Sequence, residues 1–368
     1  MKRILLYSLV VVIFTTVSCK KFLDTDSPSS FTQDYIFSNE TDARKAVYSV
    51  YALFNQDAFT SRVSNNFAGN SHIEVGGVSG SPDNSRRDLW SFEATPANGD
   101  LLTVWNNAYN AINRANECIE GIEASSLYKA GDLGMQHLRG EAATLRAIWY
   151  YYLINHWGDV PLKLTPTKAG DEFYLPRTDR NEILTALIDD LAMSEPNMYW
   201  ADQLDFGIER INREFVMGMI ARLSLMRGGW ALYPDMTQKR SADYLDYYKK
   251  ANDYSRKVMS LKPHTPNPSF PKVFTNVSSY VSPENEDVLY EVAFHPGFGD
   301  VAWNMGIKVD AGSHPYGSGS NYLSLPPSYY YSFDTLDTRL PATCSIVFYD
   351  KDLQQQPVAI TSIAPNKW

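Results

Sequence analysis

The sequence predicts a mainly α protein, a helical-repeat scaffold followed by a loop-rich, mixed second half. Three observations predict it. Apolar residues recur at steps of three and four in six blocks between residues 38 and 261. Four of those blocks form two successive pairs, and paired helices are the unit from which helical repeats are built. Beyond Pro263 the spacing disappears, and Gly, Pro, Ser and Tyr dominate, with short strand-like runs between them.

The chain opens with Lys2 and Arg3 ahead of an apolar run, Ile4 to Val17, too short for a comfortable transmembrane span. The run ends Thr16-Val17-Ser18-Cys19, a small residue before a cysteine. Residues 1–18 therefore read as a lipoprotein signal peptide and Cys19 as the acylated N-terminus, although Thr16 stands where such sites usually carry Leu. An ordinary signal peptide with a chance cysteine is the alternative. Acyl chains contribute ~0.8 kcal/mol per buried CH₂, so several of them anchor a protein without a spanning helix. Residues 19–37 read as a tether, extended from Pro28 to Asp34.

Ser38 to Phe54 is the first predicted helix, capped by Asn39 or Thr41, with Ala46, Val47, Val50, Tyr51 and Phe54 on its apolar face. Gln56 to Gly99 is long and irregular, but Phe67, His72, Trp90 and Phe92 argue against complete disorder. Asp100 to Ile122 aligns Trp105, Tyr109, Ile112, Ala115 and Ile119. In the next helix Leu138, Ala142, Leu145, Trp149, Tyr152 and His156 share one face, which Ala143, Ile148 and Tyr151 widen. Arg139, Glu141 and Arg146 lie between these positions, and Gly158 with Pro161 ends the helix. Arg180 to Ser194 and Arg213 to Arg227 form the second pair. Ser241 to Leu261 follows, and its apolar residues Leu245, Tyr248, Ala251 and Val258 have no obvious partner later in the sequence. Short strands are expected at Asp287 to Phe294 and at Ser345 to Tyr349.

Gly140-Glu141-Ala142, Leu145-Arg146-Ala147, the run Tyr150 to Leu153, and Gly158-Asp159-Val160-Pro161-Leu162 together resemble the SusD/RagB family of outer-membrane nutrient-binding lipoproteins. Lys20-Lys21-Phe22-Leu23-Asp24, directly after Cys19, resembles the opening of the mature proteins of that family. The helix pair bearing Trp105 and Tyr109 resembles one tetratricopeptide-like unit. The resemblance implies a tetratricopeptide-like scaffold over residues 38–262 and an irregular second half over residues 263–368. It also implies a lipid-anchored protein of the outer-membrane surface that captures an oligosaccharide for a SusC-like TonB-dependent transporter. A peptide ligand, as in the RagB branch, is the alternative, and a lipoprotein glycoside hydrolase is a third reading. The final-helix pattern of the family does not occur before Pro365-Asn366-Lys367-Trp368, so the sequence reads as truncated at its C-terminus.

Composition narrows the function. The formal net charge is −9, and removing residues 1–18 takes away Lys2 and Arg3, leaving −11. Such a body lacks the basic footprint that nucleic acid requires. No H-E-x-x-H, G-x-S-x-G or G-x-x-x-x-G-K-[ST] motif occurs, and no G-x-G-x-x-G follows a strand, so no catalytic residue, cofactor or metal site is nominated. Cys118 and Cys344, far apart in sequence, read as two separate buried thiols, with a disulfide the alternative if the fold brings them together.

Aromatic residues make up 13% of the chain, and many lie in polar loops rather than on helix stripes. A sugar ring stacks its C–H face on a flat side chain while planar polar groups take its hydroxyls. Two loops offer both. One carries Asp83, Asn84, Arg86, Arg87 and Trp90; the other carries Trp303, Asn304, Tyr316, Asn321 and Tyr322. For Trp90, packing beneath its loop against Phe92 competes with ligand stacking, and Trp303 and Tyr322 have comparable structural alternatives. The aromatic cluster from Pro326 to Tyr331 reads as packing.

Overall fold

A computed structural model describes residues 33–69, 71–78, 84–283, 285–310 and 319–367. Its principal helices are α1 (Glu40–Tyr51), α2 (Ser85–Trp90), α3 (Gly99–Ala124), α4 (Leu133–Trp157), α5 (Arg180–Ser194), α6 (Arg213–Gly228), α7 (Tyr244–Leu261), α8 (Phe270–Ser278) and α9 (Val301–Met305). Asn39, Asn98, Asp132, Asp179 and Asn212 cap five of them, each accepting a backbone N–H of the first turn. Each such cap stabilises its helix by ~1 kcal/mol. The Asp132 cap also explains why α4 begins at Leu133, ahead of the apolar stripe that marks it in the sequence.

α3 and α4 run antiparallel, as Arg139 beside Glu123 and Tyr109 beside Tyr150 show. α5 and α6 repeat the arrangement, with Arg213 on Glu195 at one end and Arg227 on the Asn181 carbonyl at the other. α7 packs on α6, where Gly228 lets the Tyr248 ring approach; a Cβ there would lie 2.8 Å from it. Only Ala251 and Val258 of α7 are buried, and Leu245, Met259 and Leu261 are exposed.

α4 is the centre of the core and is enclosed by α1, α3 and α5. Its stripe is buried through Trp149, but Arg139, Glu141 and Arg146 are buried too. They are tolerated because each finds charged partners, without which a buried charge is very costly. Arg139 and Arg146, two turns apart, share Asp190 of α5. Arg146 also donates to Asn116 at 2.6 Å, and Arg139 to Glu123 at 2.9 Å. Helical spacing marks the face a residue occupies; it does not show that a neighbour will bring a counter-charge.

The segment after α4 is built to turn and dock. Gly158 sits at φ +72°, a region that disfavours any side chain, with the Arg180 guanidinium against it. Asp159 accepts Arg180 Nε at 2.9 Å, and Pro161 O accepts the Tyr109 hydroxyl at 2.8 Å. The Lys163 N–H donates to the Tyr150 hydroxyl at 2.7 Å. The Gly158 to Leu162 motif is thus the clasp between the two helix pairs.

Three expectations change. Gln33–Ile36, in the predicted tether, is a helical turn, and Phe37 is buried against Gly121, so these residues join the helical body. The stretch after Gln56 contains a π-helix, Ala58–Asn66, and α2; neither carries the 3.6-residue stripe that would announce it. Asp287 to Phe294 forms no ladder. It runs alongside the helical body with Tyr290 on Phe215, Glu291 N–H donating to Ile208 O, and Leu289 O accepting from Asn212. Both Leu289, against Gly218, and Tyr290, on Phe215, pack on α6, so the segment docks on a helix without a strand partner.

Among the described residues, two short antiparallel pairs lie within the second half, one joins it to the helical region, and one lies wholly in the helical region. β1 (Val75–Gly76) pairs with β4 (Leu323–Ser324), and β2 (Ala231–Leu232) with β3 (Gln238–Lys239). β5 (Cys344–Ser345) pairs with β8 (Ala364–Pro365), and β6 (Val347–Tyr349) with β7 (Gln355–Pro357). The strand expected at Ser345 to Tyr349 is present as β5 and β6, interrupted at Ile346. A small second core of Leu325, Cys344 and Ile363 packs with Tyr329, Tyr330 and Phe333, while Tyr331 is exposed. Cys118 and Cys344 are both free and buried, and burial pushes the Cys118 thiol up to about 12.

Candidate functional site

The β1–β4 pair brings the two loops together, matching Val75 with Ser324 and Gly76 with Leu323. Trp90 is the post beneath the junction. It is 5% exposed, and its Nε1–H donates to Asn66 O at 2.9 Å. Gly69 and Gly76 lie against the indole so closely that a Cβ on either would fall 2.1 or 2.0 Å from a ring atom. Phe92 is 81% exposed and takes no part in this packing. Trp90 therefore supports the site from within and offers no face to a ligand, because two glycine backbones cover it.

Above this post the arrangement opens outward. The Arg86 guanidinium lies 3.8 Å from the Tyr322 ring centroid and 5.2 Å from that of Trp90. Trp303 stands edge to face with Tyr322, with centroids 5.6 Å apart and planes at 70°, and is 40% exposed. The backbone holds these side chains in place: Tyr322 N–H donates to Asn304 O, and Ser320 N–H to Trp303 O, both at 2.9 Å. α9, which carries Trp303, rests on the Ala58–Asn66 helix. Arg86, Trp303 and Tyr322 thus form one surface in which a cation and two aromatic rings adjoin.

The remaining predicted residues fall into other roles. Asn304 is buried and donates to Asp300 O at 3.0 Å. Asn84 caps α2 by accepting Arg87 N–H, and Arg87 donates to Val78 O and Asp88. Asn321 donates to Leu323 O at 3.2 Å. Cys19, Asp83 and Tyr316 lie outside the described residues.

Sequence reasoning missed the polar support behind Trp90. Asn66 donates to Asp100 at 2.7 Å, and Asp100 also accepts Arg62 Nε at 3.0 Å. A lone Asn in an irregular stretch carries no signal of such a role. A separate cleft of about 350 Å³ lies between the end of α1 and residues 290–298, lined by Tyr51, Phe54, Glu209, Tyr290 and Phe298. Its floor is already committed, since the Tyr51 hydroxyl donates to Glu141 and accepts Ile211 N–H. The Arg86–Trp303–Tyr322 surface is the better candidate because Trp303 is open to solvent and, among the described residues, the Arg86 donors have no hydrogen-bond partner.

Comparison with known proteins agrees with this architecture. Residues 21–225 match the model of a SusD-like family described as starch-binding and associating with the outer membrane. A SusD-like protein, P25, of Formosa agariphila is 22% identical over 196 residues, which span 51% of this chain and 37% of that relative. A SusD homologue from Bacteroides thetaiotaomicron superposes with a TM-score of 0.77 at 16% identity, covering 91% of this chain and 68% of the other. A laminarin-binding SusD-like protein gives 0.68 at 18%, covering 90% and 72%. With the family match extending over more than half its length, the chain belongs to the SusD-like family of carbohydrate-binding, outer-membrane-associated proteins.

Proposed function

We propose that the protein is a non-catalytic glycan-binding lipoprotein of the outer-membrane surface, which captures an oligosaccharide and delivers it to a SusC-like TonB-dependent transporter. The observation that carries this reading is the surface formed by Arg86, Trp303 and Tyr322 where the two loops meet. A pyranose laid on Trp303 would bury its C–H face there, leaving its hydroxyls toward the guanidinium. The family's outer-membrane association supports the location. Among the described residues no helix is long and apolar enough to cross a membrane, and acylation of Cys19 would supply the attachment.

The test is calorimetric titration of the full chain in detergent with oligosaccharides and with peptides, followed by product chromatography. Binding of a glycan without shortening it, weakened in Trp303→Ala, is the expected result. Shortened products would make the protein a hydrolase, and binding of peptides alone would replace the glycan reading. Co-purification with a TonB-dependent barrel from native membranes tests the delivery role.

A further inference from the structure

Arg86 differs from its neighbour Arg87 in one respect. Arg87 is neutralised by Asp88 at 3.0 Å and Glu93 at 3.3 Å. Among the described residues Arg86 has no hydrogen bond and no ion pair; its contacts are the rings of Tyr322 and Trp90. Stacking occupies the flat face of a guanidinium, whereas its N–H donors lie in the plane and emerge along the edges. A carboxylate or sulfate takes two parallel N–H groups of such an edge at once, which a sugar hydroxyl cannot do.

We propose that Arg86 makes this platform selective for anionic glycans, with a carboxylate or sulfate on the guanidinium edge and an adjoining sugar ring on Trp303. The inference rests on the glycan-capture reading above and adds the substrate class. Among the described residues of the two loops the acidic side chains have other partners: Asp88 accepts from Arg87, Asp300 from Asn304 Nδ2 at 3.3 Å, and Asp310 pairs with Lys308 at 2.9 Å. The net charge of −9 opposes anions at long range. Salt screens that opposition beyond ~8 Å at physiological ionic strength, so the local cation decides. Arg86 is also half-buried against aromatic rings, where water competes less for its donors.

The test compares matched ligands on the full chain: oligogalacturonate against its carboxyl-reduced counterpart, sulfated against desulfated carrageenan oligosaccharides, and neutral laminarin oligosaccharides. One anionic member is expected to bind at least about tenfold more tightly than its neutral partner, the scale of one charge-assisted contact. Added salt should narrow that gap. Arg86→Gln should abolish it and Arg86→Lys should keep only part, because lysine retains the charge without the fork. Trp303→Ala should weaken charged and neutral ligands alike. Equal or tighter binding of the neutral partners overturns the selectivity and leaves glycan capture standing. A preference that survives Arg86→Gln also overturns it. No binding of any glycan by protein shown to be helical by circular dichroism overturns both readings.

Discussion

Arg210 closes on Glu141 through two hydrogen bonds, Nε to Oε1 at 3.1 Å and Nη2 to Oε2 at 2.8 Å, across 69 residues of sequence. The Tyr51 hydroxyl donates to the same Oε1 at 2.8 Å, so one buried carboxylate joins α1, α4 and the chain entering α6. Burial opposes the Arg210 charge, yet Glu141 more than offsets it and raises the Arg210 pKa above its ordinary value. Arg210→Ala strands Glu141, which has 0% exposure, and should destabilise the fold by about 3–5 kcal/mol. Glu141→Leu with Arg210→Met should recover much of that loss, since an apolar pair leaves no stranded charge. Urea unfolding followed by circular dichroism measures both; a single-variant loss below about 1 kcal/mol would show that the pair is dispensable.

Trp90 should govern binding without touching ligand. Trp90→Ala removes a buried indole and should cost about 3–5 kcal/mol, whereas Trp303→Ala, at a half-open position, should cost less than about 1 kcal/mol. Both should weaken glycan binding. Only the Trp90 variant should also lower the unfolding midpoint, and equal stability losses in the two would contradict the division of roles.

Gly76→Ala tests the same junction from the backbone side. A methyl 2.0 Å from the indole must displace either the ring or β1, an overpacking cost of about 1–3 kcal/mol. The Trp90 fluorescence spectrum should shift as water reaches the ring. Gly77→Ala, with nothing within 4 Å of the added carbon, is the control and should leave the spectrum unchanged.

His137 sets an acid limit on stability. It is buried on α4, where its Nδ1 accepts the Tyr199 N–H at 3.3 Å and its Nε2 lies 3.7 Å from Glu141. The accepted bond assigns the neutral ring's proton to Nε2. Burial lowers its pKa below the ordinary 6.5, against the opposing pull of Glu141. The unfolded chain then binds this proton more readily than the folded one, so stability rises with pH. The contribution is complete above the unfolded pKa and is lost as pH falls through the folded value. The urea midpoint should drop from pH 7.5 to 5.5, and less steeply in His137→Gln; parallel pH profiles would remove His137 as the cause.

Much of the helical body was legible because helix formation is local. Arg180 to Ser194 is bounded in the structure as its spacing and flanks indicate, and Gly158 ends α4 where a C-terminal glycine is expected. The Ala58–Asn66 helix was not legible, since a wider helical repeat lacks the usual stripe. Asp287 to Phe294 misled for another reason: an apolar run can dock on a helix, as Leu289 and Tyr290 do on α6, as well as in a sheet. In the site, the two loops were identifiable from aromatic residues set among polar ones. Which of those residues face outward was not.

The sequence by itself determined where the six apolar-striped helices lie and the family motif between Gly140 and Leu162, both properties carried by neighbours within a few residues. Only the tertiary structure decided that Arg139, Glu141 and Arg146 are interior and that Trp90 is covered while Trp303 is open. Those outcomes depend on groups brought from far along the chain: Asp190 and Arg210 as counter-charges, and the β1–β4 pairing that presses Gly76 onto the indole. Burial and charge pairing are relations between distant segments, and local periodicity contains no term for them.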